Sequence, residues 1–371
     1  MEMCEEMDRA AIRNPSEADE PQMVELLLKV FPRWPAFAIE TPALDHLRWK
    51  MRSDGITARD HFVAEIDGRI AAMMLRIVRS VRVRGRDRLG RDFVDAAVDP
   101  GCQGRGLFGA IDDCAEESPR AADFDLSLWF STNPRTRRRS KPEKWRLLAN
   151  PIQVVEKPYD ARAIVARRRE KHGGRLPAPL AVLKIDLARA VNRLLHPPYF
   201  RRARCGWSVR TLERFDDRIG EFFDEAARPF DFIVVRSQDY LNWRYCDPAA
   251  GRFTIRAAEH EGRLLGYLVF KAAEGEGTIA DLLALPERSD VVRSLLEDAL
   301  HHFREAGVEQ VTCWMISRHP YNGILRRYGF IDSRGDVGFK YEPTSLPASE
   351  LEFLEDPRAR IHLTQGDSDW V

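Results

Sequence analysis

The chain has 371 residues, of which 44% are hydrophobic and 31% charged, and its 58 basic and 58 acidic side chains cancel. That is the composition of an ordinary globular protein, long enough for two domains at roughly 100–200 residues each. Apolar runs such as residues 264–270 fall far short of the roughly 20 residues that cross a bilayer, and the acidic N-terminus lacks the apolar core of a secretory signal, so a cytoplasmic protein with no membrane partner is expected.

In chain order, residues 10–13 read as a short strand. Ser16 or Asp19 caps a helix running to about Phe31, with Val24, Leu27, Leu28 and Phe31 on one face. Residues 61–66 and 70–79 form a hairpin around Asp67-Gly68. The Arg- and Gly-rich stretch 79–91 reads as a longer hairpin tip. A strand over 92–98, a Gly-rich turn, a helix over about 106–117 and a strand over 124–131 follow. Residues 162–204 read as a connecting arm, whose helix-like run 185–195 is stopped by Pro197-Pro198. A helix over 289–306, closed by Gly307, and a strand over 310–316 lie in the second half.

The halves repeat each other. Leu47-Arg48-Trp49-Lys50 and Ala64-Glu65-Ile66-Asp67-Gly68-Arg69-Ile70 recur at an offset of 194 as Leu241-Asn242-Trp243-Arg244 and Ala258-Glu259-His260-Glu261-Gly262-Arg263-Leu264. Asp95 to Pro100 then aligns with Asp281 to Pro286, the first copy having eight more residues in between. A repeat this long implies two similar domains rather than a solenoid. The expected fold class is α/β: two mixed β-sheet domains flanked by helices and joined by an arm. The boundaries read as 1–160, a basic arm over 161–205, 206–345 and a C-terminal tail over 346–371.

None of the six cysteines forms a C-x-x-C pair and the nine histidines lack ligand spacing, so neither a disulfide framework nor a metal site is expected. Charge is uneven: residues 131–215 hold 22 basic and 6 acidic side chains. Such a stretch serves internal pairing, a polyanionic cofactor or nucleic acid. Overall neutrality and the few interleaved aromatics (Trp145, Tyr159, Tyr199, Phe200 and Trp207) disfavour the last.

The chemistry concentrates at residues 98–109, Val-Asp-Pro-Gly-Cys-Gln-Gly-Arg-Gly-Leu-Phe-Gly, between a strand and a helix. Backbone N–H groups and the helix dipole converge there on one concavity suited to phosphate. Glycines permit close approach, and Arg105 adds positive charge. The turn has the spacing Gly104, Gly106, Gly109 of a dinucleotide fingerprint, but no acidic residue follows at a strand end about 20 residues on, and no P-loop Lys-Ser/Thr is present.

Gln103 and Gly106 resemble the [Gln/Arg]-x-x-Gly-x-[Gly/Ala] motif of GNAT acyltransferases, although Phe108 stands at the third position with Gly109 after it. The preceding Val-x-Pro strand end and the early strand–helix–hairpin order resemble that family as well. The chain is similar to its two-copy members, in which one copy is degenerate. The resemblance implies an N-acyltransferase taking acetyl-CoA, or another acyl-CoA, as co-substrate for a primary amine of a small molecule or peptide. It implies that Gln103, Gly104, Arg105, Gly106, Leu107, Phe108 and Gly109 hold the pyrophosphate. Ala97 and Val98 would lie along the pantetheine arm, and Asn133 would touch the cofactor or else form a plain turn with Pro134. The second copy has Glu287-Arg288-Ser289-Asp290 instead of a glycine turn and is not expected to hold coenzyme in the same way.

Amine acylation needs a proton acceptor. Asp92 falls where the resemblance places a catalytic carboxylate, whereas Asp95, retained as Asp281, reads as structural support; alternation over three residues sets them on opposite faces. No Tyr–Gly-Phe pair closes the first copy, leaving Tyr159, Tyr321, Tyr328 or water as thiolate acid. The C-terminal Asp367-Ser368-Asp369 either folds back toward a cationic amine or ends loosely. Two alternatives stand: a non-catalytic coenzyme-binding or regulatory protein, and an RNA-associated acetyltransferase using 131–215.

Overall fold

A computed structural model describes residues 10–31, 34–35, 39–52, 60–118, 123–131, 144–172, 176–200 and 206–369. The first half forms β1 (Ala11–Arg13), α1 (Glu20–Val30), α2 (Ala43–Met51), β2 (Phe62–Ile66), β3 (Arg69–Val83), β4 (Arg86–Val98), α3 (Leu107–Glu117), β5 (Leu126–Ser131), a short β6 (Arg146–Leu147) and β7 (Ile152–Pro158). The helices α4 (Ala161–His172) and α5 (Ala178–Leu195) make the arm. The second half forms β8 (Ser208–Leu212), α6 (Arg218–Ala226), β9 (Phe232–Val234), α7 (Gln238–Cys246), β10 (Thr254–His260), β11 (Arg263–Ala273), β12 (Glu276–Ala284), α8 (Ser289–Glu305), β13 (Gln310–Ile316), α9 (Tyr321–Arg327), β14 (Ile331–Pro343) and β15 (Ile361–His362).

The local chemistry explains the elements. In α8 the apolar positions Val291, Val292, Leu295, Leu296, Ala299, Leu300 and Phe303 recur with helical spacing and are all buried. The helix ends at Gly307, whose φ of +64° suits a left-handed stop. In β3 the run from Ile70 to Val78 is buried on both faces, as a strand covered on both sides must be.

The strands form one sheet in the order β1-β2-β3-β4-β5-β14-β7-β13-β12-β11-β10-β8. The order is symmetric about the antiparallel β14–β7 pair. Each half contributes five consecutive strands, and its sixth is supplied by the other: β14 pairs with β5, and β7 pairs with β13. The bulges repeat too. Between β2 and β3 the register slips after Ala64, and between β10 and β11 after Ala258, 194 positions on. The Trp49 and Trp243 rings stack at 4.7 Å, and each indole N–H donates to the other's backbone carbonyl, at 2.9 and 3.2 Å. Residue i meeting its own repeat partner is the signature of a twofold contact.

Residues 79–91 extend the hairpin: β3 and β4 pair along their full length to a tight Arg84-Gly85 turn with φ of +45° and +79°. Its Arg79 and Arg91 are interior, against Asp92 and Ser127, and β9 pairs alongside β3. Residues 346–369 do not trail away. Leu351, Leu354 and Leu363 are fully buried, β15 pairs with β9, and Asp367 is buried against Arg236.

Candidate coenzyme turn and acyl site

Pro100–Cys102 forms a short 3-10 turn closed by the Asp99 carboxylate, which accepts from the Gly101 N–H at 2.9 Å and from Lys29 at 2.7 Å. The Gln103 side chain donates back to the Val98 carbonyl at 3.3 Å. Gly104 and Gly106 take φ of +83° and +80°, a conformation that costs an L-residue about 1–2 kcal/mol. A Cβ at Gly104 or Gly109 would meet nothing within 4 Å, so the space beside the turn is open. Gly106 begins α3 without a side-chain cap, and Leu107, Phe108 and Gly109 supply its first-turn N–H groups. Leu107 is buried under the turn, while Phe108 is 46% exposed beside it. The predicted residues 103–109 therefore come together at one exposed, uncapped helix start.

The turn stands over an opening in the sheet. β4 and β5 pair in parallel only at Gly90–Leu126, Arg91–Ser127 and Asp92–Leu128. Beyond that apex β4 runs on to Val98 and β5 to Ser131 without pairing to each other. Opposite Met74 the register of β4 slips, and Asp95 adopts φ of +47°. Such a bulge bends its strand. Ala97 and Val98 lie on this diverging edge. Asn133 lies outside the described residues.

Asp92 sits at the apex, 1% exposed, with one oxygen 3.1 Å from Arg79 and the other without a hydrogen-bond partner. Burial pushes its carboxyl up to about 7, against the pull of Arg79; Asp369 pushes the same way. Asp95 accepts from Trp34 at 2.9 Å and from Lys50 at 2.7 Å, the structural support expected of it. It does not take the opposite face from Asp92. The bulge turns it toward α2, so Lys50 acts electrostatically on both carboxylates. Asp369 closes the group, 3.3 Å from Lys50. Burial alone would pull the Lys50 ammonium down, but Asp95 and Asp369 hold it above its usual value.

Sequence reasoning missed Lys50 and Arg79. Lys50 had a signal: the second copy carries a cation, Arg244, at the matching place, and Arg244 is buried with the Gly366 and Ser368 carbonyls. Tyr159 is not at this site; it follows β7, beside Glu309 in the second half.

In the second half β12 and β13 also pair only as far as Ile279–Cys313. There the opening is occupied from within. Gly366 packs against Tyr245 and the Ala280 carbonyl, and the Tyr321 hydroxyl accepts the Ala284 N–H at 3.1 Å. A cleft of about 990 Å³ remains nearby, lined by His319, Tyr321 and several arginines. Among the described residues no cluster could hold a metal, and no helix is long and apolar enough to cross a membrane.

No family model and no curated protein matches the sequence. Solved structures do match the fold. A conserved protein of Enterococcus faecalis described as a probable N-acyltransferase aligns over 91% of this chain and 73% of its own, with TM-score 0.62 and 12% identity. The chain has the GNAT fold. A GCN5-related N-acetyltransferase from Anabaena variabilis aligns over 90% of this chain and 72% of its own (TM-score 0.61, 11% identity). N-myristoyltransferase of Saccharomyces cerevisiae with bound myristoyl-CoA aligns over 90% of this chain and 82% of its own (TM-score 0.60, 12% identity). In this chain each half of the sheet opens after three or four parallel pairs.

Proposed function

We propose that the first half transfers an acyl group from acyl-CoA to a primary amine of a small molecule or peptide. The observation that carries this reading is the joining of two features at one place: an uncapped, glycine-built helix start and an unpaired β4 edge running from it to a buried carboxyl. The N–H groups of Leu107, Phe108 and Gly109, with Arg105, would hold the pyrophosphate. The β4 edge at Ala97 and Val98 would hold the pantetheine arm, leading the thioester toward the apex. The amine nitrogen attacks the thioester carbonyl, the C–S bond breaks, and coenzyme leaves as a thiol after taking a proton from water. Asp92, with its raised carboxyl pKa, is suited to accept the amine proton near neutral pH. Its burial means the proton reaches it through water rather than by direct contact.

The similarity to transferases with acetyl and myristoyl donors leaves acyl length to experiment. Calorimetry with acetyl-CoA and myristoyl-CoA, on the intact chain and on Gly106→Glu, tests the reading. Binding of either donor that falls at least about a hundredfold in the variant supports it, since a carboxylate replaces the point where pyrophosphate would rest. Absence of binding by the intact chain refutes it. Binding without acyl transfer to any amine in a screen would favour a coenzyme-binding regulator.

A further inference from the structure

The arm carries an anomaly that the transferase reading does not use. The helix α5 packs by Ala181, Val182 and Ile185 against Ile164 and Val165 of α4, and Asn192 donates to the Arg326 carbonyl. Its opposite side is apolar and open: Leu180 is 54% exposed, Leu183 62%, Leu187 61%, Val191 46%, Leu194 82% and Leu195 67%. At 100° per residue these side chains fall within one arc, and Leu180 to Leu194 spans about 21 Å along the axis. Phe200, just beyond the helix, is 97% exposed. Scattered exposed leucines need no explanation, but a contiguous stripe does.

The charge around the stripe identifies its occupant. At the same spacing Lys184 falls inside the arc, between Val191 and Leu195, and Arg193 falls about 80° beyond its Leu183 edge; neither has a carboxylate partner among the described residues. Arg167 and Arg168 are taken up by Glu276, Glu309 and Glu156, but the sequence also places Arg169, Lys171 and Arg175 before the helix and Arg201, Arg202 and Arg204 after it. Residues 131–215 carry 22 basic against 6 acidic side chains, a surplus of 16. Part of that surplus is met by carboxylates elsewhere in the chain, such as Glu309 on Arg167 and Glu259 on Arg210, but a second copy would still bring Lys184, Arg193 and the cations that the sequence places at both ends of the helix against their like, so the charge opposes self-pairing. An anionic bilayer surface meets both demands: acyl chains for the leucines and phosphate headgroups for the cations.

We infer that α5 lies in the interface of anionic membranes and holds the chain on the lipid surface without spanning it. The absence of a spanning segment, from which the sequence predicted no membrane partner, does not bear on an interfacial helix, which is defined by its two faces rather than by a continuous apolar run.

The test is co-sedimentation of the full chain with vesicles of phosphatidylcholine alone and with vesicles in which a third of the lipid is phosphatidylglycerol. The chain pellets with the anionic vesicles and not with the neutral ones, and rising salt weakens the binding. Leu183→Glu/Leu187→Glu/Leu194→Glu lowers the partition coefficient at least about tenfold while the melting curve stays unchanged, since all three side chains are exposed. Lys184→Glu/Arg193→Glu, which keeps every leucine of the stripe, also weakens anionic binding. No pelleting with anionic vesicles overturns the inference. So does equal pelleting by the triple variant, or a dimer in sedimentation velocity that the triple variant dissociates.

Discussion

Asp92→Asn isolates one buried charge. In the folded chain the Asp92 carboxyl titrates at about 7, against 3.8 unperturbed, because burial outweighs its contact with Arg79. The folded state therefore holds a proton that the unfolded state has released between those values. Stability is fully present below pH 3.8 and is lost as pH rises toward 7. About three pH units at 1.36 kcal/mol each give a loss of about 4 kcal/mol across that window. Asparagine keeps an oxygen to accept from Arg79 and removes the titration. Urea unfolding of both proteins from pH 4 to pH 8 reads the effect as a difference, which cancels every other titrating group. The Asn variant should gain on the intact chain by up to about 4 kcal/mol as pH rises, and then level off. Parallel curves would refute the assignment of a raised carboxyl at the apex. If Asp92 also accepts the amine proton, the variant loses about 100-fold or more in transfer rate while becoming relatively more stable at pH 8.

Trp243→Ala removes a ring stacked on Trp49 and an indole that donates to the Trp49 carbonyl; a loss of about 3–5 kcal/mol in chemical unfolding is expected. His319 is 4% exposed, and burial pulls its imidazole down to about 3. Its contribution is intact above pH 6.5 and is lost as pH falls toward 3, so acid unfolding of His319→Gln should be less steep over that window. A Cβ at Gly366 would strike the Tyr245 hydroxyl and approach the Ala280 carbonyl at 3.1 Å. Gly366→Ala should displace the C-terminal segment and free Asp367 from Arg236, read as faster proteolysis after residue 360 and a loss of about 3–5 kcal/mol.

The repeat and the glycine turn were legible because both are local. Two matched segments at one offset correspond to the two symmetric halves of the one sheet, and Gly104 and Gly106 do take the left-handed conformation that made them conspicuous. Three things were not legible. The exchange of β7 and β14 pairs residues far apart in sequence, and no periodicity within either strand names its neighbour. Nothing in the pattern announced that Arg76, Arg79 and Arg91 are interior, resting on Asp60, Asp92, Phe62, Phe93 and Phe124. The relation of Asp92 to Asp95 was read from strand alternation, which a bulge cancels.

The exchanged strands bear on why a half without the turn persists. The wall of the first opening is β5, and the strand that flanks β5 on its far side belongs to the second half. A gene encoding only residues 1–160 would leave β5 as a bare edge and would carry β7 with no strand to receive it. The second half thus completes the sheet of the first through β14, whatever else it does. Inheritance should show this asymmetry: drift is tolerated at residues 286–290 and resisted along 337–343, although both lie in the half that has no glycine turn.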